Sequence, residues 1–225
     1  MIYLIPTPIG NLEDITLRAL RILKEVDLIL VEDTRVSIKL LKHYDITTPY
    51  DSFHMHNEHQ KVSKIIKQIK VGLTVALISD AGTPGISDPG FLLVRTALEA
   101  KLEVQCLPGP TALIPAIVQS GIPTDRFVFE GFLPPKKGRK SRLESMALET
   151  KTLVFYESPH KLIKLLDEMI PIFGGDRNIA IAREISKLYE STFRGSLKAA
   201  KFYFQENSPK GEFVIVVEGL KKIDR

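Results

Sequence analysis

The 225-residue sequence contains one cysteine, Cys106, and no tryptophan. A lone thiol forms no internal disulfide, and its place in the largely apolar run 104–107 reads as a buried core position rather than a nucleophile. A reducing, cytoplasmic setting is therefore expected. No apolar run approaches the ~20 residues that cross a bilayer. Residues 1–6 have no basic stretch ahead of a long apolar core, so neither a membrane span nor an export signal is expected. A large charge excess is missing as well: 31 Lys and Arg stand against 27 Asp and Glu, a net charge of +4. Such a balance permits a polyanionic partner without requiring one. Internal repeats and low-complexity tracts are absent.

The dinucleotide fingerprint is also missing. It would place G-x-G-x-x-G after the first strand, with an acidic residue some way further on for ribose hydroxyls. The sequence has Pro6-Thr7-Pro8-Ile9-Gly10 there, with one glycine and two prolines that lack the N–H groups needed to cradle a pyrophosphate. Glu32 does mimic the ribose-binding acid, which keeps an ordinary nucleotide binder as a second reading.

With 44% hydrophobic and 26% charged residues, the chain has a globular composition and room for two modest domains. Short apolar runs at 1–5, 28–31, 75–78 and 104–107 read as buried strands. Between them lie helical patterns: 16–25, a short one through Ile38, Leu41 and Tyr44, and a basic one carrying Val62, Ile65, Ile66 and Ile69. Asp88 and Pro89 read as N-cap and first residue of a helix over 90–100, and a further helix runs to about 119. This alternation predicts an α/β fold with a parallel layer over 1–121. The turn-rich segment 121–125 reads as the boundary to a strand-richer, mixed α/β domain over 122–225. Its strands are expected at 127–129, 153–156, 179–182, 190–194 and 212–218, with helices at 160–170, started by Ser158 and Pro159, and 196–205.

The loop over 79–90 is crowded with Gly82, Pro84, Gly85, Asp88, Pro89 and Gly90, more punctuation than a plain turn requires. Ligands of open parallel sheets bind beyond the carboxyl ends of the strands. Three such Pro/Gly loops, at 6–10, 79–90 and 108–110, follow apolar strands and should meet at one edge. His54, His56 and His59 invite a metal reading, but no cysteine or second cluster supports it, so polar surface or substrate contact is preferred and no metal is expected. Glu32, Asp33 and Glu58 are candidate general bases, although an acid at a helix start is equally a cap. Five of the seven residues 136–142 are basic: Lys136, Lys137, Arg139, Lys140 and Arg142. Concentrated on a loop, they suit RNA phosphates, against the alternative of a merely solvated run.

Five segments carry a family resemblance: Leu4-Ile5-Pro6-Thr7-Pro8-Ile9-Gly10-Asn11-Leu12, Val31-Glu32-Asp33-Thr34-Arg35, residues 79–90, residues 107–112, and Phe155-Tyr156-Glu157-Ser158-Pro159-His160. Together they resemble the ribosomal RNA small-subunit 2′-O-methyltransferase I family, within the tetrapyrrole methylase superfamily, from residue 1 to about 219. The resemblance implies a two-domain tetrapyrrole-methylase-like fold, a homodimer, and S-adenosylmethionine held in the cleft between the domains. By analogy, Pro8, Asp80, Ala81, Gly82, Thr83, Pro108, Gly109, Thr111, Ala112 and Tyr156 would line that site. The implied reaction methylates the ribose 2′-oxygen of a cytidine in 16S rRNA, as free rRNA or in the small ribosomal subunit. Family members also carry a further C-terminal segment, expected to bear on RNA affinity or delivery.

Glu32, Arg35, Asn57 and Glu58 are expected on the substrate side because they follow strands of the first domain; His56, Glu157, Arg183, Glu184 and Lys187 are further candidates. Two other functions stay open, a tetrapyrrole C-methyltransferase and a non-catalytic RNA- or nucleotide-binding protein.

Overall fold

The structure, a computed structural model, describes residues 1–221 and divides the chain into two compact units, Met1–Thr111 and a second that starts at Ala112. In the first unit β1 (Ile2–Leu4), β2 (Leu28–Val31), β3 (Tyr50–Ser52), β4 (Val75–Ile78) and β5 (Val104–Cys106) form one sheet in the order β3-β2-β4-β1-β5. Every neighbouring pair is parallel. Successive side chains of a strand point to opposite faces, and here both faces are covered. Ile29, Val31, Ala76 and Ile78 pack with α1 (Leu17–Glu25) and α2 (Thr34–His43). Leu30, Val75 and Leu77 pack on the other face with α3 (Glu58–Lys70) and α4 (Phe91–Glu99). Continuous apolar strands are what burial on two faces demands. The Thr16 hydroxyl accepts from the Ala19 N–H and starts α1 where the sequence places it.

Two readings of this unit need correction. Cys106 is exposed rather than buried, because β5 is an edge strand with β1 as its one neighbour in the sheet; partial desolvation of its sulfur still pushes the thiol pKa up. Asp88 and Pro89 do not start a helix: α4 begins after Gly90, which has φ +136 and offers no side-chain cap. A Cβ at Gly90 would lie 2.8 Å from Leu77 Cδ2, so the close approach of this turn to β4 admits only glycine.

The second unit opens with α5 (Leu113–Ser120), which packs on strands of its own sheet, so the division falls before this helix and not after it at 121. That sheet has the order β6 (Phe127–Phe132), β7 (Thr152–Glu157), β10 (Phe213–Val217), β8 (Asn178–Arg183), β9 (Ser191–Ser196). β6 and β7 are parallel and the other pairs antiparallel, a mixed sheet as expected. Leu153, Phe155, Ile181 and Ile215 form a core with α6 (Arg139–Met146), α7 (Leu162–Phe173) and α8 (Leu197–Glu206). Ser196 caps α8 through the Ala199 N–H. Ser158 and Pro159 do not begin α7; they form the turn before it, in which the Lys161 N–H donates to the Ser158 carbonyl, and the helix continues past Pro171 to Phe173. Among the described residues no helix is long and apolar enough to cross a membrane.

Candidate functional site

Because the strands of the first sheet are all parallel, the loops that follow them leave from one edge. There they are tied directly to each other. Thr7 and Gly82 exchange N–H···O bonds of 2.9 Å in each direction, and the Thr7 hydroxyl donates to the buried Ser79 carbonyl at 3.0 Å. The Thr83 hydroxyl donates to the Pro110 carbonyl at 3.4 Å. A Cβ at Gly109 would sit 2.8 Å from Pro6 Cβ, so the third loop packs on the first through its glycine. The three Pro/Gly loops thus converge, bringing Pro8, Asp80, Ala81, Gly82, Thr83, Pro108, Gly109 and Thr111 to one edge of the first unit. Ala112 and Tyr156 belong to the second unit; Tyr156 lies on β7 with its ring 5.0 Å from Phe129 and 5.6 Å from Phe132.

Carboxylates crowd this edge. Glu32, after β2, accepts from the Asp80 N–H at 3.3 Å, and Asp80 accepts from the Asp33 N–H at 3.1 Å. Asp33 caps α2 by accepting from the Arg35 N–H at 2.8 Å and also pairs with the Arg35 guanidinium, which holds its carboxyl down at about 2. Burial pushes Glu32 and Asp80 up from the ordinary carboxylate range. Asp88 rises furthest, to about 6, through burial first and then the charge of Glu32, offset in part by a hydrogen bond with Ser79. Asp88 is the residue sequence reasoning missed: it resembled a helix cap, and only its company of glycines and prolines hinted at another use.

Asn57 closes the turn from β3 into α3. Its Oδ1 accepts from the His54 N–H at 2.9 Å, and its Nδ2 lies 3.1 Å from His54 Nε2 and donates to the Ser52 carbonyl at 3.3 Å. The amide orientation makes Nε2 the acceptor and places the ring proton of neutral His54 on Nδ1. Asn57 therefore has a structural task. Glu58 Oε2 and His54 Nδ1 are buried without hydrogen-bond partners. His56 and His59 are exposed, and no group of three His, Cys, Asp or Glu that could hold a metal occurs among the described residues.

The basic stretch separates into different kinds of cation. Lys136 and Lys137 are exposed in the loop before α6. Arg139 is not available to RNA: its side chain is 5% exposed and pairs with Glu157 at 3.2 Å and Glu168 at 2.6 Å. The first turn of α6 turns Arg139 inward, where two carboxylates neutralise it. Arg142 pairs at 2.7 Å with Glu130, which stands at the bulge of β6, and exposed Lys140 lies 3.7 Å from Glu144. Glu157 is likewise structural, and Lys187 bridges Glu184 and Glu212 at 2.9 and 2.8 Å.

A parallel α/β unit with Pro/Gly loops on one edge, followed by a mixed-sheet unit, is the architecture of a known class. The family model described as Tetrapyrrole (Corrin/Porphyrin) Methylases matches residues 1–201. The solved structure of uroporphyrin-III C-methyl transferase from Thermus thermophilus complexed with S-adenyl homocysteine shares the fold, with TM-score 0.64 and 19% identity over 96% of each chain. Closer in sequence are proteins named ribosomal RNA small subunit methyltransferase I. That of Synechocystis sp. is 49% identical over 226 residues, covering 100% of this chain and 81% of its own. That of Thermotoga maritima is 46% identical over 216 residues, covering 96% and 97%. The chain belongs to the ribosomal RNA small subunit methyltransferase I family, within the tetrapyrrole methylases.

Proposed function

We propose that this protein is an S-adenosylmethionine-dependent methyltransferase acting on small-subunit rRNA, with the ribose 2′-oxygen of a cytidine as acceptor. The observation that carries the reading is the acidic, proline-lined edge of the first unit. Pro6, Pro8, Pro108 and Pro110 withhold the N–H groups a phosphate would need, and Glu32, Asp80 and Asp88 would repel one. The same carboxylates suit a ligand that is cationic, free of phosphate and equipped with ribose hydroxyls. S-adenosylmethionine fits that donor set, and Pro8, Asp80, Ala81, Gly82, Thr83, Pro108, Gly109 and Thr111 are the residues of this unit that would hold it.

When bound, S-adenosylmethionine supplies an electrophilic methyl group on a sulfonium whose charge disappears during transfer. The protein's main contribution is alignment of the acceptor oxygen. A ribose hydroxyl is a poor nucleophile until its proton leaves, and Glu32, its basicity raised by burial, is the proposed proton acceptor. Glu58 offers a second carboxylate, and exposed Lys136 and Lys137 contact phosphates. Arg35 is held by Asp33 and remains a proposed substrate contact. The resemblance to the family also supports a homodimer.

Two measurements test the reading. Calorimetry with S-adenosylhomocysteine should show binding that Asp80→Asn weakens. Mass spectrometry of rRNA from cells with and without the gene should show the loss of one ribose methyl group on a cytidine. Unchanged rRNA, or a methyl on a base, would overturn the proposed acceptor.

A further inference from the structure

The second unit carries a pocket of about 330 Å³ along its edge strand β9, lined by Arg183, Phe193, Arg194, Tyr203, Asn207 and Ser208, among others. Its two guanidinium groups are held by main-chain carbonyls instead of carboxylates: Arg183 Nε donates to the Lys210 carbonyl at 2.7 Å and Arg194 Nε to the Gln119 carbonyl at 2.9 Å. Neither makes an ion pair among the described residues, and nearby Glu184 is committed to Lys187 at 2.9 Å. A carbonyl positions a guanidinium but leaves its charge uncompensated, which prepares it for an anion. The opposite wall is aromatic. The Phe193 and Tyr203 rings lie 5.2 Å apart with a 34° tilt, and Tyr203 keeps 43% of its surface exposed. Asn207 Nδ2 is used on the Tyr203 carbonyl at 3.0 Å, which leaves its Oδ1 as an acceptor at the rim beside exposed Ser208.

Fixed guanidinium groups beside an exposed ring are the pairing by which proteins hold unpaired nucleotides, phosphate on the arginines and base on the aromatic face. The volume suits one small-molecule-sized unit. We propose that this pocket binds an unpaired nucleotide of the RNA, with its phosphate on Arg183 and Arg194, its base against Tyr203, and Asn207 and Ser208 at its hydrogen-bonding edge. The choice of RNA as ligand rests on the function proposed above; the pocket itself lies wholly in the second unit and takes no part in methyl transfer.

The test uses the full chain and a fluorescein-labelled single-stranded RNA oligonucleotide, read by fluorescence anisotropy across a salt series, with rRNA methylation assayed in parallel. Tyr203→Ala should weaken binding roughly tenfold through lost stacking. Arg183→Gln, which keeps an amide donor for the Lys210 carbonyl, should weaken binding and flatten the salt dependence by about one unit of slope. Ser208→Glu, a substitution at an exposed position, should weaken binding without lowering the melting temperature. All three should raise the KM for rRNA and leave kcat unchanged. RNA affinities equal to the parent's in all three overturn the proposal, as does a parent that binds no RNA. A changed sedimentation coefficient with unchanged RNA affinity would assign the pocket to a protein interface and also overturn it. If the parent binds RNA through these residues but methylates no rRNA, the pocket stands and the proposed function falls. If it methylates rRNA while the variants bind normally, the pocket alone falls.

Discussion

Two groups of carboxylates stand at strand ends in this protein, and they are neutralised in opposite ways. In the second unit, Glu157 at the end of β7 and Glu168 on α7 share one buried cation, Arg139. In the first, Glu32, Asp80 and Asp88 accept N–H or hydroxyl hydrogen bonds but make no direct Lys or Arg pair among the described residues, and burial pushes all three up. A cluster completed by its own cation is finished as structure. One left with charge unpaired resists full ionisation, and it suits a place where positive charge arrives from outside. The comparison therefore separates architecture from ligand site where the residue types alone look alike.

The strongest way to break it is to remove the cation of the finished cluster. Arg139→Ala should cost about 3–5 kcal/mol, because two buried carboxylates lose their partner. Arg139→Met combined with Glu157→Gln should recover much of that loss in urea denaturation, whereas a loss below ~1 kcal/mol would show that Arg139 behaves as a surface cation. In the open cluster the largest effect should fall on chemistry instead of folding. Glu32→Gln is expected to lower kcat about a hundredfold or more while S-adenosylhomocysteine binding, by calorimetry, changes little. Normal turnover would remove Glu32 from proton transfer.

The loop that supports this cluster gives a smaller, purely structural contrast. Gly90→Ala combines a φ of +136 with a 2.8 Å approach to Leu77, whereas Gly85→Ala has φ +84 and open space. The first should cost about 1–3 kcal/mol and the second about 1 kcal/mol. Equal urea midpoints would mean that the close approach to β4 carries no weight.

Asp88→Asn should have the smallest effect, visible as a pH dependence. The folded-state pKa of Asp88 is raised from 3.8 to about 6, so the fold favours its protonated form. That contribution is complete below the unfolded value and is lost as pH rises through the folded one. The variant should match the parent near pH 4 and become the more stable of the two as pH passes about 6, by thermal melting. A stability difference that does not vary with pH would show that Asp88 does not titrate as described.

Much of the architecture is legible from local pattern. Leu28-Ile29-Leu30-Val31 and Val75-Ala76-Leu77-Ile78 are apolar on both faces, which only a doubly covered strand needs, and Thr16 and Ser196 cap helices in the expected places. The crowding of Gly and Pro at 79–90 likewise marks a loop that must bend sharply against its neighbours, and so the candidate edge can be found before any fold is known.

The fate of individual charged and polar residues was not legible. Asp88 and Pro89 make a sound cap in isolation, yet Gly90 takes a left-handed turn against Leu77 and moves the helix start past them. Arg139 sits among surface cations in sequence, but the first turn of α6 aims it inward. Cys106 shares its apolar company with core residues, and its exposure follows from β5 standing at the sheet edge. The sequence by itself determined which segments are strands, helices and sharp loops, because those depend on periodicity and backbone freedom over a few residues. Tertiary structure alone decided which carboxylates have a cation and which wait for one, because that depends on strand order and on contacts such as Thr7 with Gly82, made between segments far apart in the chain.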